Sequence, residues 1–287
     1  RGKSGEQKFY IDNVGRISEI ISSTDSVAGD DLYLSIDADL QKATYLALQN
    51  EIAAIVYSNI KSGEIPINDV YTALIGNSVI NTEHFSKAKA SDTEKNVLSV
   101  FKSRQKTTLG KIKQELTSSP EALNTMSDEV LDEFTYIISM LKDDQVLLKN
   151  EIDTSDSVYQ KWKNQKISPK EYLSYCITQH WIDISQLNVD EKYADSTEVY
   201  DALCKYILKN IKTDTEFSKI IYQYMITRGE ISPRQLCLIL FDQGVLDYDD
   251  ATVNKLKNGS LSPRDFLMKK IYNIEITPAQ LALEPCT

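Results

Sequence analysis

Five serines stand three residues ahead of a lysine: Ser58/Lys61, Ser86/Lys89, Ser99/Lys102, Ser103/Lys106 and Ser139/Lys142. On a helix this spacing sets an amine one turn from a hydroxyl, the arrangement by which a lysine can activate a serine for acyl transfer. With 27 serines and 26 lysines in the chain, roughly two such matches arise by chance, so five weigh little for so loose a motif. No Ser-x-Asn follows any of them. Lys3-Ser4-Gly5 precedes all five serines and Lys61-Ser62-Gly63 shares its lysine with Ser58, so neither supplies a third catalytic element. His84 and His180, the only histidines, are far apart and lack a partner at metal-ligand spacing. Asp247-Tyr248-Asp249-Asp250-Ala251-Thr252 opens like a calcium loop, but Ala251 takes a ligand position and Thr252 replaces the required glycine, so a helix N-terminus accounts for it better. No catalytic, cofactor-binding or metal-binding residue is assigned.

Sixteen tyrosines, among them Tyr57, Tyr71, Tyr136, Tyr175, Tyr206 and Tyr224, sit mostly at helical spacing. They read as amphipathic residues at the edge of a core, with a carbohydrate- or protein-binding face as the alternative. Cys176, Cys204 and Cys237 each fall inside an apolar helical pattern, and with Cys286 they form no C-x-x-C pair. That predicts buried free thiols rather than a zinc site or a disulfide framework.

The stretch 29–60 organises the rest. Leu32, Leu34 and Ile36 alternate with polar neighbours as in a strand with one buried face. Asp37 then reads as a helix N-cap with Asp39 in the first turn. Leu40, Ala43, Ala47, Leu48, Ala54 and Ile55 predict the buried face of that helix, and Lys61-Ser62-Gly63 its stop. Upstream, Phe9, Ile11, Val14, Ile17, Ile20 and Ile21, broken by Asp12-Asn13 and Gly15, predict two short strands that pair with 32–36. A sheet this small needs a cover, and the helix from Asp39 is the expected one.

Downstream the pattern is helical, giving a mainly α fold with a small antiparallel β element at the N-terminus. Helices are expected over 69–75, 93–113, 127–149, 158–164, 170–181, 197–212, 215–228, 234–242, 249–257 and 264–272. Ser119-Pro120, Ser168-Pro169, Ser232-Pro233, Ser262-Pro263 and Thr277-Pro278 each place a hydroxyl at N-cap and a proline at N1. Lys166-Ile167, Gly229-Glu230-Ile231 and Gly259-Ser260-Leu261 lead into three of them. Either a helical repeat builds a binding groove, or one good cap is used repeatedly.

A chain of 287 residues can bury a sizeable core in one large or two smaller domains. Its net charge of −10 repels nucleic-acid phosphates and anionic membrane surfaces. No run approaches the roughly 18 apolar residues of a membrane span, and no signal-peptide core follows Arg1-Gly2-Lys3-Ser4.

Gly29-Asp30-Asp31-Leu32-Tyr33-Leu34-Ser35-Ile36-Asp37-Ala38-Asp39-Leu40-Gln41 resembles the strand-to-helix entry of class B penicillin-binding proteins, with Ser35 at the usual threonine position. Gly2-Lys3-Ser4-Gly5-Glu6 with Tyr10-Ile11-Asp12-Asn13-Val14-Gly15-Arg16 looks like the end of that family's pedestal, or dimerisation, module. The segment from Ile276 to Thr287 is similar to the run-in to the transpeptidase domain of clostridial members, and the helices between look like the large insertion some of these carry.

The resemblance implies a pedestal remnant at 1–61, a helical insertion at 62–273 and, at 274–287, the approach to a transpeptidase domain whose catalytic elements lie beyond Thr287. It implies no cofactor, and no catalytic residue of the family falls on this chain. It further implies a place outside the cytoplasmic membrane, a parent anchored upstream, and partners in the wall-synthesis machinery or a second copy of the chain. An independent helical adaptor that binds protein through its tyrosines is the competing expectation. If 62–273 is an insertion, its ends must nearly meet, with Cα atoms near Lys61 and Ile274 within about 15 Å.

Overall fold

The computed structural model describes residues 2–12, 16–31, 35–118, 121–189 and 194–283. They form two compact units, Arg1–Leu48 and Gln49–Thr287.

In the first unit β1 (Glu6–Ile11) and β2 (Ile17–Thr24) pair antiparallel, with Phe9 opposite Ile20 and Ile11 opposite Ile17. A bridge between Lys3 and Val27 extends the ribbon. Of the expected third strand, Leu32–Leu34 lie outside the described residues, while Ser35 and Ile36 form a bend. The sheet therefore has two strands among the described residues. Helix α1 (Ala38–Ser62) starts as expected, with Asp37 Oδ1 accepting from the N–H groups of Asp39 and Leu40. Its buried face does not follow the expectation. Leu40, Ala43, Ala47 and Leu48 are exposed, and the helix buries Ala53, Val56 and Ile60 instead, at i, i+3 and i+7. Nor does it cover the sheet, whose residues are exposed along both strands.

The second unit is helical, with α2 (Ile67–Gly76), α3 (Asp92–Thr117), α4 (Asp128–Asp143), α5 (Ser157–Lys163), α6 (Pro169–Thr178), α7 (Ser196–Ile211), α8 (Thr215–Thr227), α9 (Pro233–Asp242), α10 (Asp250–Asn258) and α11 (Pro263–Tyr272). Short 3₁₀ turns at Thr82–Ser86, Leu123–Thr125 and Ile184–Gln186 connect some of them. One hydrophobic cluster runs through this unit from Val56 and Ile60 to Ile276 and Leu281. Tyr222 of α8 stacks on Phe101 of α3 at 4.1 Å between ring centroids and meets Phe85 edge-on. Trp162 lies flat on Tyr172 at 4.6 Å. Cys176, Cys204 and Cys237 are buried free thiols, and burial pushes Cys176 and Cys237 up to about 12. Cys286 lies outside the described residues.

The hydroxyl-proline starts explain much of the helix order. Ser168, Ser232 and Ser262 each accept at Oγ from the N–H three residues on, with proline at N1. Ser119-Pro120 lies outside the described residues. Thr277 closes a capping box with Gln280, yet Ala282 takes a left-handed conformation (φ 50) and only turns follow, so no helix forms there among the described residues. Another departure is α4, which ends at Asp143 rather than Lys149. Gln145 turns left-handed (φ 61), and Leu147 leaves to form a bridge with Ile182.

Helix ends repeat a device that only the glycines betrayed. After α8, Gly229 N–H bonds to Ile226 O and Glu230 N–H to Met225 O, the paired bonds of a Schellman motif. The same pair occurs after α5, α6, α9 and α11, centred on Gln165, His180, Gly244 and Ile274. Loss of the cap hydroxyl in Ser232→Ala or Ser262→Ala should destabilise the unit by about 1 kcal/mol each. A thermal scan showing no shift for either variant would remove the cap from the account.

Candidate interaction surface

Apolar side chains cluster on the outside of the first unit. Phe9, Tyr10, Ile11, Ile17, Ile20, Ile21 and Val27 on or beside the ribbon are exposed, as are Ile36, Leu40, Leu46 and Leu48. Ile11 and Ile36 are each 61% exposed and Leu40 66%, whereas the helical unit holds Phe134, Leu203 and Leu240 at 0%. An isolated two-stranded ribbon is marginal in water, and each isoleucine it shows could contribute roughly 1.5–3 kcal/mol if fully buried. Monomeric soluble proteins seldom show apolar side chains so concentrated on their surface.

The serine–lysine pairs are scattered. Ser58, Ser99, Ser103 and Ser139 lie exposed on α1, α3 and α4, and Ser86 lies exposed in a 3₁₀ turn, where its hydroxyl donates to Glu83 O. None of the five shares a hydrogen bond with its lysine among the described residues. His84 Nδ1 lies 2.7 Å from Glu94 Oε1, and Gln243 Nε2 donates to the same oxygen. His180 is exposed at the left-handed position after α6, and the next residue, Trp181, is buried. Asp249 caps α10, accepting from Ala251 and Thr252, as the helix-start reading of 247–252 expects. Among the described residues no group of three or more His, Cys, Asp or Glu could hold a metal ion.

Tyrosine hydroxyls knit the helices together. Tyr136 donates to Asp214, Tyr175 to Asp156, Tyr206 to Asp144 and Tyr224 to Asp132, all at 2.7–2.9 Å. The largest buried polar constellation escaped the sequence reading. Glu129 of α4, 4% exposed, accepts from Arg104 of α3 at 2.9 and 3.0 Å and from Arg228, at the end of α8, at 2.6 Å. Glu133, one turn on and 2% exposed, has its carboxyl pushed up to about 8 by burial and then by the charge of Glu129. The arginine partners of Glu129 are 25 and 99 residues away in the chain, which no local pattern reveals.

Among the described residues no helix is long and apolar enough to cross a membrane. No family model matches the chain, and no solved structure matches it. Over 97 residues it is 35% identical to the peptidoglycan D,D-transpeptidase FtsI of Escherichia coli strain K12 and, to the same degree, to that of Escherichia coli O157:H7. The match takes in 34% of this chain but spans only 16% of the length of those relatives. About a third of the chain is thus similar in sequence to a penicillin-binding protein.

Proposed function

We propose that the chain is a non-catalytic scaffolding and interaction portion of a penicillin-binding protein of clostridial type, a peptidoglycan D,D-transpeptidase of cell-wall synthesis. The observation that carries the reading is the 97-residue similarity to the transpeptidases of Escherichia coli. In this reading 1–61 is the pedestal remnant, 62–273 an inserted helical domain and 274–287 the approach to the transpeptidase domain. The parent is anchored in the membrane and works on its outer side, and the apolar residues of the first unit face partners of the wall-synthesis machinery or a second copy.

Two further observations support the insertion. Its entry and exit are neighbours in the helical unit: Arg264 Nη2 donates to Ile60 O at 3.1 Å, and the rings of Tyr57 and Tyr272 meet edge-on at 5.2 Å. The hydrophobic cluster of the second unit is built, among the described residues, from that unit's own side chains. The adaptor reading has less support, because Tyr136, Tyr175, Tyr206 and Tyr224 spend their hydroxyls on aspartates within the fold.

Incubating the 287-residue chain with a fluorescent penicillin should leave no stable covalent label. A serine of this chain acylated by the drug would overturn the reading.

A further inference from the structure

The tripeptide Ser-Pro-Arg occurs twice, at Ser232–Arg234 and Ser262–Arg264, and opens two ten-residue helices, α9 and α11. The structure brings the two together. With Tyr71 of α2 they line one cleft of about 420 Å³ within the helical unit, a size suited to a small ligand.

Most of the exposed lining of the cleft is apolar, and its charged groups are two guanidinium groups. At each helix start the serine hydroxyl already caps the third amide, and the fourth closes onto the serine carbonyl. Proline has no N–H to give. One amide per helix is left without a partner, that of Arg234 or Arg264, at the positive end of the helix dipole. The guanidinium groups are also free of acids. Arg104 and Arg228 pair with Glu129, but neither Arg234 nor Arg264 forms an ion pair among the described residues, in a chain where acids outnumber bases 42 to 32. Arg264 donates only to Ile60 O, and Arg234 lies over the left-handed turn at Gly259. Asp265 is the nearest carboxylate along α11. It is held by Ser262 Oγ at 2.7 Å and does not line the cleft.

Tyr71 is the independent sign of a ligand. It is 4% exposed and lines this cleft, and its hydroxyl forms no hydrogen bond with another described residue. Burial holds its phenol in the protonated form, ready to donate.

We propose that this cleft is an oxyanion site that takes a phosphoryl or carboxylate group, held by the side chains and amides of Arg234 and Arg264 with Tyr71 donating from the floor. Paired guanidinium forks match either group, and helix N-termini favour both. The proposal does not depend on the wall-synthesis reading.

The test is an NMR titration of the ¹⁵N-labelled 287-residue chain with inorganic phosphate and, separately, with acetate, at constant ionic strength set by chloride. The expected result is a saturable shift of the Arg234 and Arg264 amides with a dissociation constant near ~1 mM for at least one anion. Saturation by phosphate alone would mark a phosphoryl ligand, and by acetate alone a carboxylate. Arg234→Gln should weaken binding about tenfold without moving Tm, since Arg234 makes no hydrogen bond or ion pair among the described residues. Tyr71→Phe, which keeps the ring, should weaken it severalfold. No saturable shift with either anion up to about 50 mM, or unchanged binding in Arg234→Gln, would overturn the proposal.

Discussion

Replacing Glu129 by alanine should destabilise the helical unit by about 3–5 kcal/mol, the largest single loss expected of any polar residue here. Its carboxylate is desolvated and takes three hydrogen bonds from two guanidinium groups, so that α3, α4 and the end of α8 meet on one side chain. Without it, Arg104 keeps only Glu230, at 3.7 Å, and its Nε has no partner even now. Most of the loss is therefore the cost of stranding positive charge in a poorly solvated place, and little of it is the net worth of the ion pairs. Urea unfolding with a global fit measures it, and the melting temperature should fall by roughly 10 °C. A change under about 1 kcal/mol would mean that both guanidinium groups regain water when the carboxylate leaves. Replacing Glu129, Arg104 and Arg228 together by apolar residues of similar volume should cost far less than Glu129→Ala.

The second large effect is a dependence on pH carried by Glu133. In the fold its pKa is raised to about 8, by burial first and by Glu129 second, with Lys111 and Arg104 opposing and Asp132 adding a small push. The unfolded chain ionises this carboxyl in the ordinary range near 4.5. Between those values the folded state holds a proton that the unfolded state has lost, so stability falls as pH rises. The contribution of neutral Glu133 is complete below about pH 4.5 and gone above about pH 8, a loss on the order of 5 kcal/mol. Glu133→Gln keeps the shape, removes the titration and should flatten the slope of stability against pH between 5 and 9. If wild type and variant lose stability in parallel over that range, Glu133 is ionised in the fold and the burial argument fails.

Much of this architecture was legible because local rules act within a turn of helix. Ser168, Ser232 and Ser262 announce helices that begin within a residue of the expected place, since a hydroxyl cap and an N1 proline act on amides three positions away. The buried thiols follow from apolar periodicity in the same way. The face of α1 was misread because Leu40 and Leu48 look like core residues only if something packs on them, and the sequence does not say where a helix finds its neighbour. Helix ends at Gln145, Gln165, His180 and Ile274 were invisible for another reason: left-handed turns are signalled by glycine, and these four positions adopt them without it.

The candidate sites show the same divide. The exposed isoleucines of the ribbon were recognised as strand residues needing a cover, and the structure leaves them uncovered. Glu129 with its two arginines, and the cleft between Ser-Pro-Arg starts 30 residues apart, exist only through packing of α3, α4, α8, α9 and α11. Recurrence of Ser-Pro-Arg was in the sequence, but not that both copies open on Tyr71.

The most direct test of the central claim is peptide mapping of the gene product from its own cells after labelling with a fluorescent penicillin. The account predicts a labelled chain that extends past Thr287, with the drug on a serine in that later portion and none between residues 1 and 287. A product that ends at Thr287, or a drug-bearing peptide from within these residues, would contradict it.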